Sequence, residues 1–342
     1  MQLFEEINTL LSGQKTFVCY VKPNESFWNL QVQQTNEIIV FSGQSGFVFV
    51  PFDAGIKVCI PNEISTFSQG NFENLEQKSA NKFTSEANQK DAFENLVSKG
   101  IAAIQNGDLD KVVLSRKIVL KEQIALVATF QNLIATYPTA FRYLFFHPKI
   151  GLWMGATPEQ LVTINQNQFE TVALAGTQLF SESIIWTTKE IEEQQFVTDF
   201  IVSEIESKVE NLVVSEPKTI KAGNLAHLKS VISGKLTADF TGLDLITHLH
   251  PTPAVCGFPK QSALDFILNN EAFNRTYYSG FLGEYNSNNQ TDLFVNLRCL
   301  EVENNVVNIY VGCGITKDSN PEMEFLETEN KSMTMRDVLV SK

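Results

Sequence analysis

Two residues of the types used for proton transfer stand beside apolar, strand-like runs. Lys111 begins KVVLSR, and strand alternation puts it on one face with Val113 and Ser115. Glu159 follows Pro158 in GATPE, at the end of another such run. A lysine and a glutamate can serve as general base and general acid. On local pattern alone, an exposed strand start explains Lys111 equally well, and a loop-tip charge explains Glu159 better.

Two segments place glutamates at helical spacing. In KEIEEQQFV, Glu190 and Glu193 share a face with a valine. In PEMEFLETENK, Glu324 and Glu327 share a face, and Lys331 lies one turn beyond Glu327. Carboxylates with no His or Cys nearby suit a hard ion such as Mg²⁺. The structural alternatives are a solvated helix face and a surface ion pair worth about 0.3–0.5 kcal/mol.

A glycine-rich segment and an arginine are suited to anion binding, and a proline-rich segment also stands out. Gly312 and Gly314 flank a cysteine after a strand-like run, where backbone N–H groups can face an anion. Arg298 is a candidate bidentate clamp for a carboxylate. The segment HLHPTPAVCGFP, which contains Ala254, is rich in turn residues. Turn formation explains either glycine-rich or proline-rich segment equally well. The sequence has no GxGxxG after a strand and no GxxxxGK[ST], which argues against nucleotide cofactors.

The elements that must position these residues follow from hydrophobic patterning. Apolar runs bounded by Pro, Gly and Asn predict strands at 16–21, 37–41, 46–52, 110–120, 140–147, 151–157, 160–165 and 168–176. An antiparallel meander is predicted over 276–286, 291–303 and 305–315. Helices are predicted at 85–105, 188–210 and 321–340, and a surface loop at 68–84. The order lacks regular βαβ alternation, which predicts one large α+β domain of mainly antiparallel sheets.

Composition excludes several classes of protein. The chain has 342 residues, 26 Lys and Arg against 39 Asp and Glu, and a net charge of −13 without a basic run. Nucleic acids and anionic membranes are therefore poor partners. Five scattered cysteines without a CxxC pair argue against disulfides and zinc. With no signal peptide and no apolar run of ~18 residues, we expect a cytoplasmic protein. We expect a monomer, with a dimer as the alternative.

The clusters occur together and in one order, and this order resembles that of the chorismate-utilising family. Its members are isochorismate, salicylate, anthranilate and aminodeoxychorismate synthases. The resemblance covers about residues 83–336 and includes LAGT, HPTPAVCGFP, FNRTYYSG, NLRC and YVGCGI. Residues 1–80 match loosely, as a variable N-terminal part of one chorismate-binding domain over 1–342. It implies two large antiparallel sheets packed together with helices outside, and a buried cleft for chorismate and Mg²⁺.

The resemblance also implies the ligands of the metal. Glu193 and Glu327 match the metal carboxylates, and Glu324 matches a residue that acts through water. The usual helix motif has Glu-His where this chain has Glu-Gln. Glu190 and Glu192 therefore remain alternative ligands to Glu193.

The substrate contacts are implied in the same way. Gly176 and Thr177 lie where the main chain meets the ring carboxylate. The positions around the enolpyruvyl carboxylate are Tyr278, Arg298, Gly314 and Lys331. The substrate-binding set is completed by Ala254, Leu297 and Gly312.

Chemistry separates the members of the family. Isochorismate formation adds water at C2 while the C4 hydroxyl departs, so it needs a base and an acid. Lys111 resembles the base and Glu159 the acid, which requires a partly neutral lysine and a protonated glutamate near pH 7. The ammonia-using relatives carry glutamine in place of Lys111. Aminodeoxychorismate synthase has a nucleophilic lysine where this chain has Ala175.

Among the family's activities the resemblance favours isochorismate formation, an isomerase reaction. Ala254 and Val255 resemble the isochorismate synthases, and Tyr278, Leu297 and Tyr310 with PEMEF resemble the menaquinone-pathway type. Siderophore biosynthesis is the alternative pathway. The alternative functions are salicylate synthase, which uses the same base and acid and then eliminates pyruvate, and a non-catalytic chorismate-binding protein.

Overall fold

The computed structural model describes residues 2–72, 75, 77–80, 89–179, 181–222, 225–303 and 306–342. In these residues the α-helices are α1 Gln2–Ser12, α2 Lys90–Gln105, α3 Leu126–Thr136, α4 Thr188–Ile205, α5 Gly242–Leu249, α6 Lys260–Asn270 and α7 Pro321–Arg336. The first strands are β1 Phe17–Val21, β2 Phe27–Gln33, β3 Ile39–Val40, β4 Gly46–Val50, β5 Val58–Pro61, β6 Ser65–Asn71, β7 Lys111–Leu120, β8 Phe141–His147 and β9 Gly151–Thr157. The remaining strands are β10 Gln160–Asn165, β11 Gln168–Leu179, β12 Val209–Val214, β13 Lys218–Ala222, β14 Leu225–Leu236, β15 Gly257–Phe258, β16 Phe281–Ser287, β17 Gln290–Val295, β18 Cys299–Glu303 and β19 Val306–Ile315.

The strands form two large sheets. Sheet A has nine strands in the order β15-β7-β19-β18-β9-β8-β1-β2-β6. Sheet B has ten, in the order β12-β14-β11-β10-β17-β16-β4-β5-β3 with β13 beside β14. The strand pairings in both sheets are antiparallel. The predicted α+β class with antiparallel sheets is therefore confirmed.

An aromatic layer joins the inner faces of the two sheets. Phe49 of sheet B stacks on Tyr277 at 4.2 Å between ring centroids, and Trp153 of sheet A stacks on Tyr310 at 5.4 Å. These two stacked pairs contact each other, because Phe49 also lies edge-on to Trp153 with 5.9 Å between ring centroids. Each such pair contributes about 0.5–1.5 kcal/mol beyond its buried area. This layer gives a stiff wall next to Tyr278, which lies in the same cluster.

The helices cover the outer faces of the sheets. α1 and α3 pack on sheet A around Ile7, Phe130 and Leu133, which are buried. α4 lies against β11 and β14 of sheet B, and α5 lies against β10 and α4. α2, α6 and α7 surround the end of sheet A formed by β7 and β19. In the part of the chain that the structure describes, no helix is both long and apolar enough to cross a membrane.

Two of the crossovers, the connections by which the chain passes between the sheets, lie side by side. One leads from β9 to β10 through Glu159, and the other from β17 to β18 through Arg298. The crossovers are hydrogen-bonded to each other, because Val295 N donates to Glu159 O at 2.9 Å and Ala156 N donates to Arg298 O at 3.0 Å. The prediction of one strand over 291–303 is therefore wrong. Two strands of different sheets meet there, and the break places Glu159 and Arg298 where the sheets diverge.

Other element boundaries also differ from prediction. The predicted helix 188–210 ends at Ile205, and residues 209–214 form β12 on β14. The predicted loop 68–84 begins within β6, which pairs with β2. Gly70 allows this pairing because a Cβ there would lie 2.6 Å from the Trp28 ring. The last helix ends at Arg336 rather than 340. Residues 81–88 lie outside the described residues, so the start of the predicted helix 85–105 is described only from Lys90.

Candidate active site

Lys111 is the first residue of β7, and its side chain lies across a glycine of the next strand. β7 pairs with β19 so that Val113 opposes Gly314, and Lys111 is two residues before Val113 on the same face. A Cβ on Gly314 would lie 3.2 Å from Lys111 Cε and 3.7 Å from its Nζ. The missing side chain at Gly314 therefore leaves the space that the lysine occupies.

The second glycine of YVGCGI makes room in the same way. A Cβ on Gly312 would lie 2.9 Å from the Tyr278 hydroxyl and 2.8 Å from Leu114 O. Gly312 opposes Ser115 of β7 in the antiparallel ladder, and its carbonyl accepts a hydrogen bond from Lys331 Nζ at 3.0 Å. The two glycines thus bring β7, Tyr278 and α7 close to one stretch of β19.

Glu159 has the electrostatic surroundings of a general acid. It is partly exposed at the crossover from β9 to β10, with protein packed closely around it. Burial raises the pKa of Glu159 to about 7, while the positive charges of Lys331 and Lys111 act in the opposite direction. Charges shift a pKa this way only from nearby, so the three side chains share one region. The structure therefore brings the predicted acid and the predicted base together.

Two cations, Lys331 of α7 and Arg298 of the crossover, lie next to each other, and Lys331 acts electrostatically on Glu159. Lys331 pairs with Glu327 at 2.7 Å. Arg298 Nη1 donates to Lys331 O at 3.2 Å and to Thr334 Oγ1 at 2.9 Å, which ties the crossover to α7. Burial lowers the pKa of Arg298, and the nearby Tyr278 and Glu327 counteract this. Arg298 has a φ of 48°, a backbone conformation that costs a non-glycine residue about 1–3 kcal/mol. Strained backbone of this kind concentrates at functional sites.

Three further segments contain substrate-binding residues predicted from the sequence. Tyr278 is buried and stacks on Tyr310 with 5.5 Å between ring centroids. Leu297 follows in the crossover, where its N–H donates to Val295 O at 2.9 Å. Ala254 is partly exposed in the turn before β15. Tyr278 and Leu297 thus lie next to Arg298, Tyr278 through its electrostatic effect on the guanidinium and Leu297 as its neighbour in the chain.

Gly176 sits in a β-bulge of β11, opposite a histidine that the sequence reasoning missed. The register with β14 shifts between Ala175 and Thr177, and Gly176 has a φ of 70°. His227 of β14 contacts Gly176 O through Nδ1 at 3.2 Å. Burial lowers the pKa of His227, and the charge of Lys331 lowers it further. His227 thus belongs to the same region, although its sequence context AHLKS carries no motif that would have found it. The side chain of Thr177 lies outside the described residues.

Comparison with known proteins identifies the family of the chain. The family model described as chorismate binding enzyme matches residues 53–340. The chain belongs to the chorismate-binding enzymes. The isochorismate synthase DhbC of Bacillus subtilis (strain 168) is 30% identical over 312 residues, which cover 84% of this chain and 78% of that protein. The isochorismate synthase EntC of Escherichia coli (strain K12) is 29% identical over 314 residues, covering 84% and 79%. The structure of MenF, the menaquinone-specific isochorismate synthase from Escherichia coli, superposes with a TM-score of 0.79 at 20% identity, covering 95% and 88%. This last likeness concerns the fold.

In this chorismate-binding enzyme the first glutamate of α4 has a structural task. Glu190 forms a capping box, accepting hydrogen bonds from Thr187 N at 2.7 Å and Thr187 Oγ1 at 2.6 Å. Its other oxygen accepts from Gln178 Nε2 at 2.8 Å. Glu192 is exposed. The side chain of Glu193 lies outside the described residues, so the choice of ligand on α4 remains the prediction made from the sequence.

Glu324 and Glu327, two of the four glutamates of α7, have the chemistry to bind a hard cation. Burial raises the pKa of Glu324, and the charge of Glu327 adds to this, against hydrogen bonds from Ser319 and Cys313. Two carboxylates that repel each other on one helix face are stabilised by a cation between them. Carboxylate oxygens are the ligands that Mg²⁺ prefers. Within the described ranges, no group of three or more His, Cys, Asp or Glu converges to hold a metal. The fit therefore needs Glu193, water or substrate oxygens as well.

Side-chain chemistry rather than cavity size marks this site. A cavity of about 880 Å³ lies between α1, β2 and β6, lined by Phe4, Trp28 and Phe72 among others. It shares no lining residue with the cluster around Glu159. A large pocket is the usual first guess for a binding site, but here the convergent charges lie elsewhere.

Proposed function

We propose that the protein is an isochorismate synthase that converts chorismate to isochorismate with Mg²⁺. The observation that carries the proposal is that burial raises the pKa of Glu159 to about 7 and that Lys111 lies close enough to act on it electrostatically, inside a chorismate-binding fold. Hydration at C2 with loss of the C4 hydroxyl needs a base and an acid at two ends of one ring. Relatives that match over most of the chain are named isochorismate synthases.

Lys111 is the proposed base. Its Nζ takes a proton from the water whose oxygen bonds to C2 of the ring. β7 anchors the lysine, and Gly314 leaves a channel along which the side chain reaches the cleft. Holding the base in one position lowers the activation free energy, because the entropy of bringing the groups into the reactive arrangement is already lost when the substrate binds.

Glu159 is the proposed acid. It gives its proton to the C4 oxygen, which leaves as water as the C4–O bond breaks and the ring double bond shifts. One water enters and one leaves, so the reaction is an isomerisation. A carboxyl group with a pKa of about 7 holds a proton in half of the molecules at neutral pH and releases it easily.

The substrate is a dianion, and the site concentrates positive charge for it within an acidic chain. Arg298 and Lys331 with the Tyr278 hydroxyl are the proposed partners of the enolpyruvyl carboxylate, with Gly312 and Gly314 beneath. Ala254 and Leu297 line the proposed substrate pocket. Gly176 and Thr177 are the proposed main-chain contacts of the ring carboxylate. A positively lined cleft raises the local concentration of an anionic substrate.

Glu327 and Glu193 are the proposed Mg²⁺ ligands, with Glu324 acting through a water. When bound, the ion would neutralise the negative charge of the ring carboxylate and help to orient the ring. These proposed ligands come from two helices, α4 and α7. Since Glu190 is held by the capping box, it is the weakest of the three α4 candidates.

Incubating chorismate, Mg²⁺ and the protein, with chromatographic identification of the products, tests the function. We expect isochorismate without ammonia and without pyruvate. Salicylate and pyruvate formed as fast as chorismate disappears would instead make the protein a salicylate synthase. Tight chorismate binding by calorimetry with no product would make it a non-catalytic binding protein.

A further inference from the structure

β7, the strand that carries Lys111, pairs with β19 on one side and with the short strand β15 on the other. Where β15 ends, side chains form hydrogen bonds with the backbone of β7. β15 pairs with β7 only at Lys111 and Val112. Beyond it, Val113 N donates to Cys256 O at 2.8 Å, but Val113 O accepts from Arg275 Nη2 at 2.7 Å. A guanidinium group thus takes the place that the next strand would occupy. A buried backbone carbonyl without a hydrogen-bond partner costs free energy, so the hydrogen bond from Arg275 stabilises β7.

Two residues further along β7, at Ser115, a side chain again takes the place of a neighbouring strand. Ser115 N donates to Glu271 Oε1 at 2.7 Å, and Ser115 Oγ donates to the same oxygen at 2.8 Å. Glu271 is the C-cap residue of α6, and Arg275 follows four residues later in the chain. The carboxylate and the guanidinium together therefore extend β15 by side-chain hydrogen bonds.

Glu271 and Arg275 form a buried, bidentate ion pair. Arg275 Nε donates to Glu271 Oε2 at 2.8 Å and Arg275 Nη2 to Glu271 Oε1 at 2.6 Å. Both side chains are 2% exposed, and the guanidinium also lies 4.4 Å from the centre of the Phe52 ring. A buried ion pair adds little net stability compared with apolar packing, but it fixes the orientation of its partners.

This ion pair connects three parts of the site that are distant in sequence. Besides holding β7, Arg275 Nη1 donates to Val255 O at 2.9 Å, next to Ala254. Arg275 O accepts from Tyr278 N at 2.9 Å. The base strand, the Ala254 turn and the Tyr278 turn therefore share one anchor.

We propose that Glu271 and Arg275 are positioning residues that hold Lys111 in register with Tyr278 and Ala254. The proposal rests on the proposed function, because it concerns the placement of the base in that reaction. The hydrogen bonds of both side chains go to protein groups. Their effect on the reaction rate is therefore indirect, through the position of Lys111. A base displaced by about 1 Å can cost about 100-fold in rate.

Arg275→Lys and Ser115→Ala test the proposal. Arg275→Lys keeps the charge but cannot hold Glu271, Val113 O and Val255 O together. Ser115→Ala removes only one hydrogen bond to Glu271 and keeps the pair, so it serves if the arginine variant folds poorly. The matched control is Leu133→Ala in α3, a core truncation on the opposite face of sheet A.

We expect Arg275→Lys to lower kcat by about 10-fold to 100-fold with KM changed less than about threefold. Ser115→Ala should lower kcat in the same direction by less. Leu133→Ala should lower Tm at least as much and leave kcat unchanged. Equal kcat for Arg275→Lys and the control, or a loss of kcat that simply follows the loss of Tm, would overturn the proposal.

Amide hydrogen exchange separates this proposal from the proposed function. In Arg275→Lys we expect faster exchange at Val113–Ser115 and around Val255, with β8 unchanged. This readout does not depend on activity. If the wild type makes no isochorismate, the proposed function fails while faster exchange at these positions still supports the anchor. Unchanged exchange in β7 and in the Ala254 turn overturns the anchor whatever the activity.

Discussion

A direct titration of Glu159 should give a midpoint near pH 7 in the protein free of substrate and metal. Burial raises its pKa from 4.5 to about 7. At pH 7, about half of the molecules then carry the proton, against about one in 300 for a carboxyl group of pKa 4.5. The surroundings thus raise the concentration of the acid form by about 150-fold, equivalent to about 3 kcal/mol.

The two neighbouring lysines set the direction of a perturbation. Lys331 and Lys111 both lower the pKa of Glu159, and Lys331 has the larger effect. Lys331→Met should therefore raise the midpoint by about one pH unit. Lys111→Met should raise it by less. In the first variant Glu327 also loses its partner, and its negative charge acts in the same direction.

Infrared difference spectroscopy can follow this single group. The carboxylic acid C=O band is recorded from pH 5 to 9, and the spectrum of Glu159→Gln is subtracted from that of the wild type. The band should be strong at pH 6 and about ten times weaker at pH 8. A midpoint near 4.5, or a midpoint that falls in Lys331→Met, would refute the reasoning from burial and charge.

Three further predictions concern stability, the base and the metal. Because the folded pKa of Glu159 lies above the unfolded value, the folded state loses stability as pH rises from 4.5 to about 7. Glu159→Gln removes a penalty of at most about 3 kcal/mol, so its Tm advantage over wild type should be larger at pH 8 than at pH 5; an equal difference at both pH values would contradict this. Gly314→Ala puts a Cβ 3.2 Å from Lys111 Cε and should lower kcat about 10-fold or more with little change in Tm, whereas unchanged kcat would show that the lysine takes another path. Glu327→Gln and Glu324→Gln should each weaken Mg²⁺ binding in calorimetry by about 10-fold or more, and wild-type affinity in both would remove α7 from the metal site.

Residues that lie within one local pattern were predictable from the sequence. Strand alternation placed Lys111 on the face of Val113, and helical spacing placed Glu324 beside Glu327. In both cases the period of one element determines the geometry. That Lys111 and Glu159 lie near each other came only from the co-linear resemblance, because no local period relates the two.

Residues whose position depends on distant contacts were not predictable. The apolar alternation of TDLFVNLRCLEVE continues through the point where the chain changes sheets. The break is held by Asn296, which accepts from the Tyr143 hydroxyl at 2.7 Å and donates to Tyr277 O at 2.9 Å. The contact of His227 with Gly176 and the ion pair of Arg275 depend equally on strands and turns far apart in sequence. A sequence pattern contains no information on such pairings.

The reaction run in oxygen-18 water tests the central claim most directly. If Lys111 activates a water that adds at C2, isochorismate made by the wild-type protein with Mg²⁺ should carry one solvent oxygen in its new hydroxyl group. Lys111→Ala should form no labelled product while keeping its fold and its Mg²⁺ binding. Isochorismate without label, or labelled isochorismate from Lys111→Ala at the wild-type rate, would contradict the account.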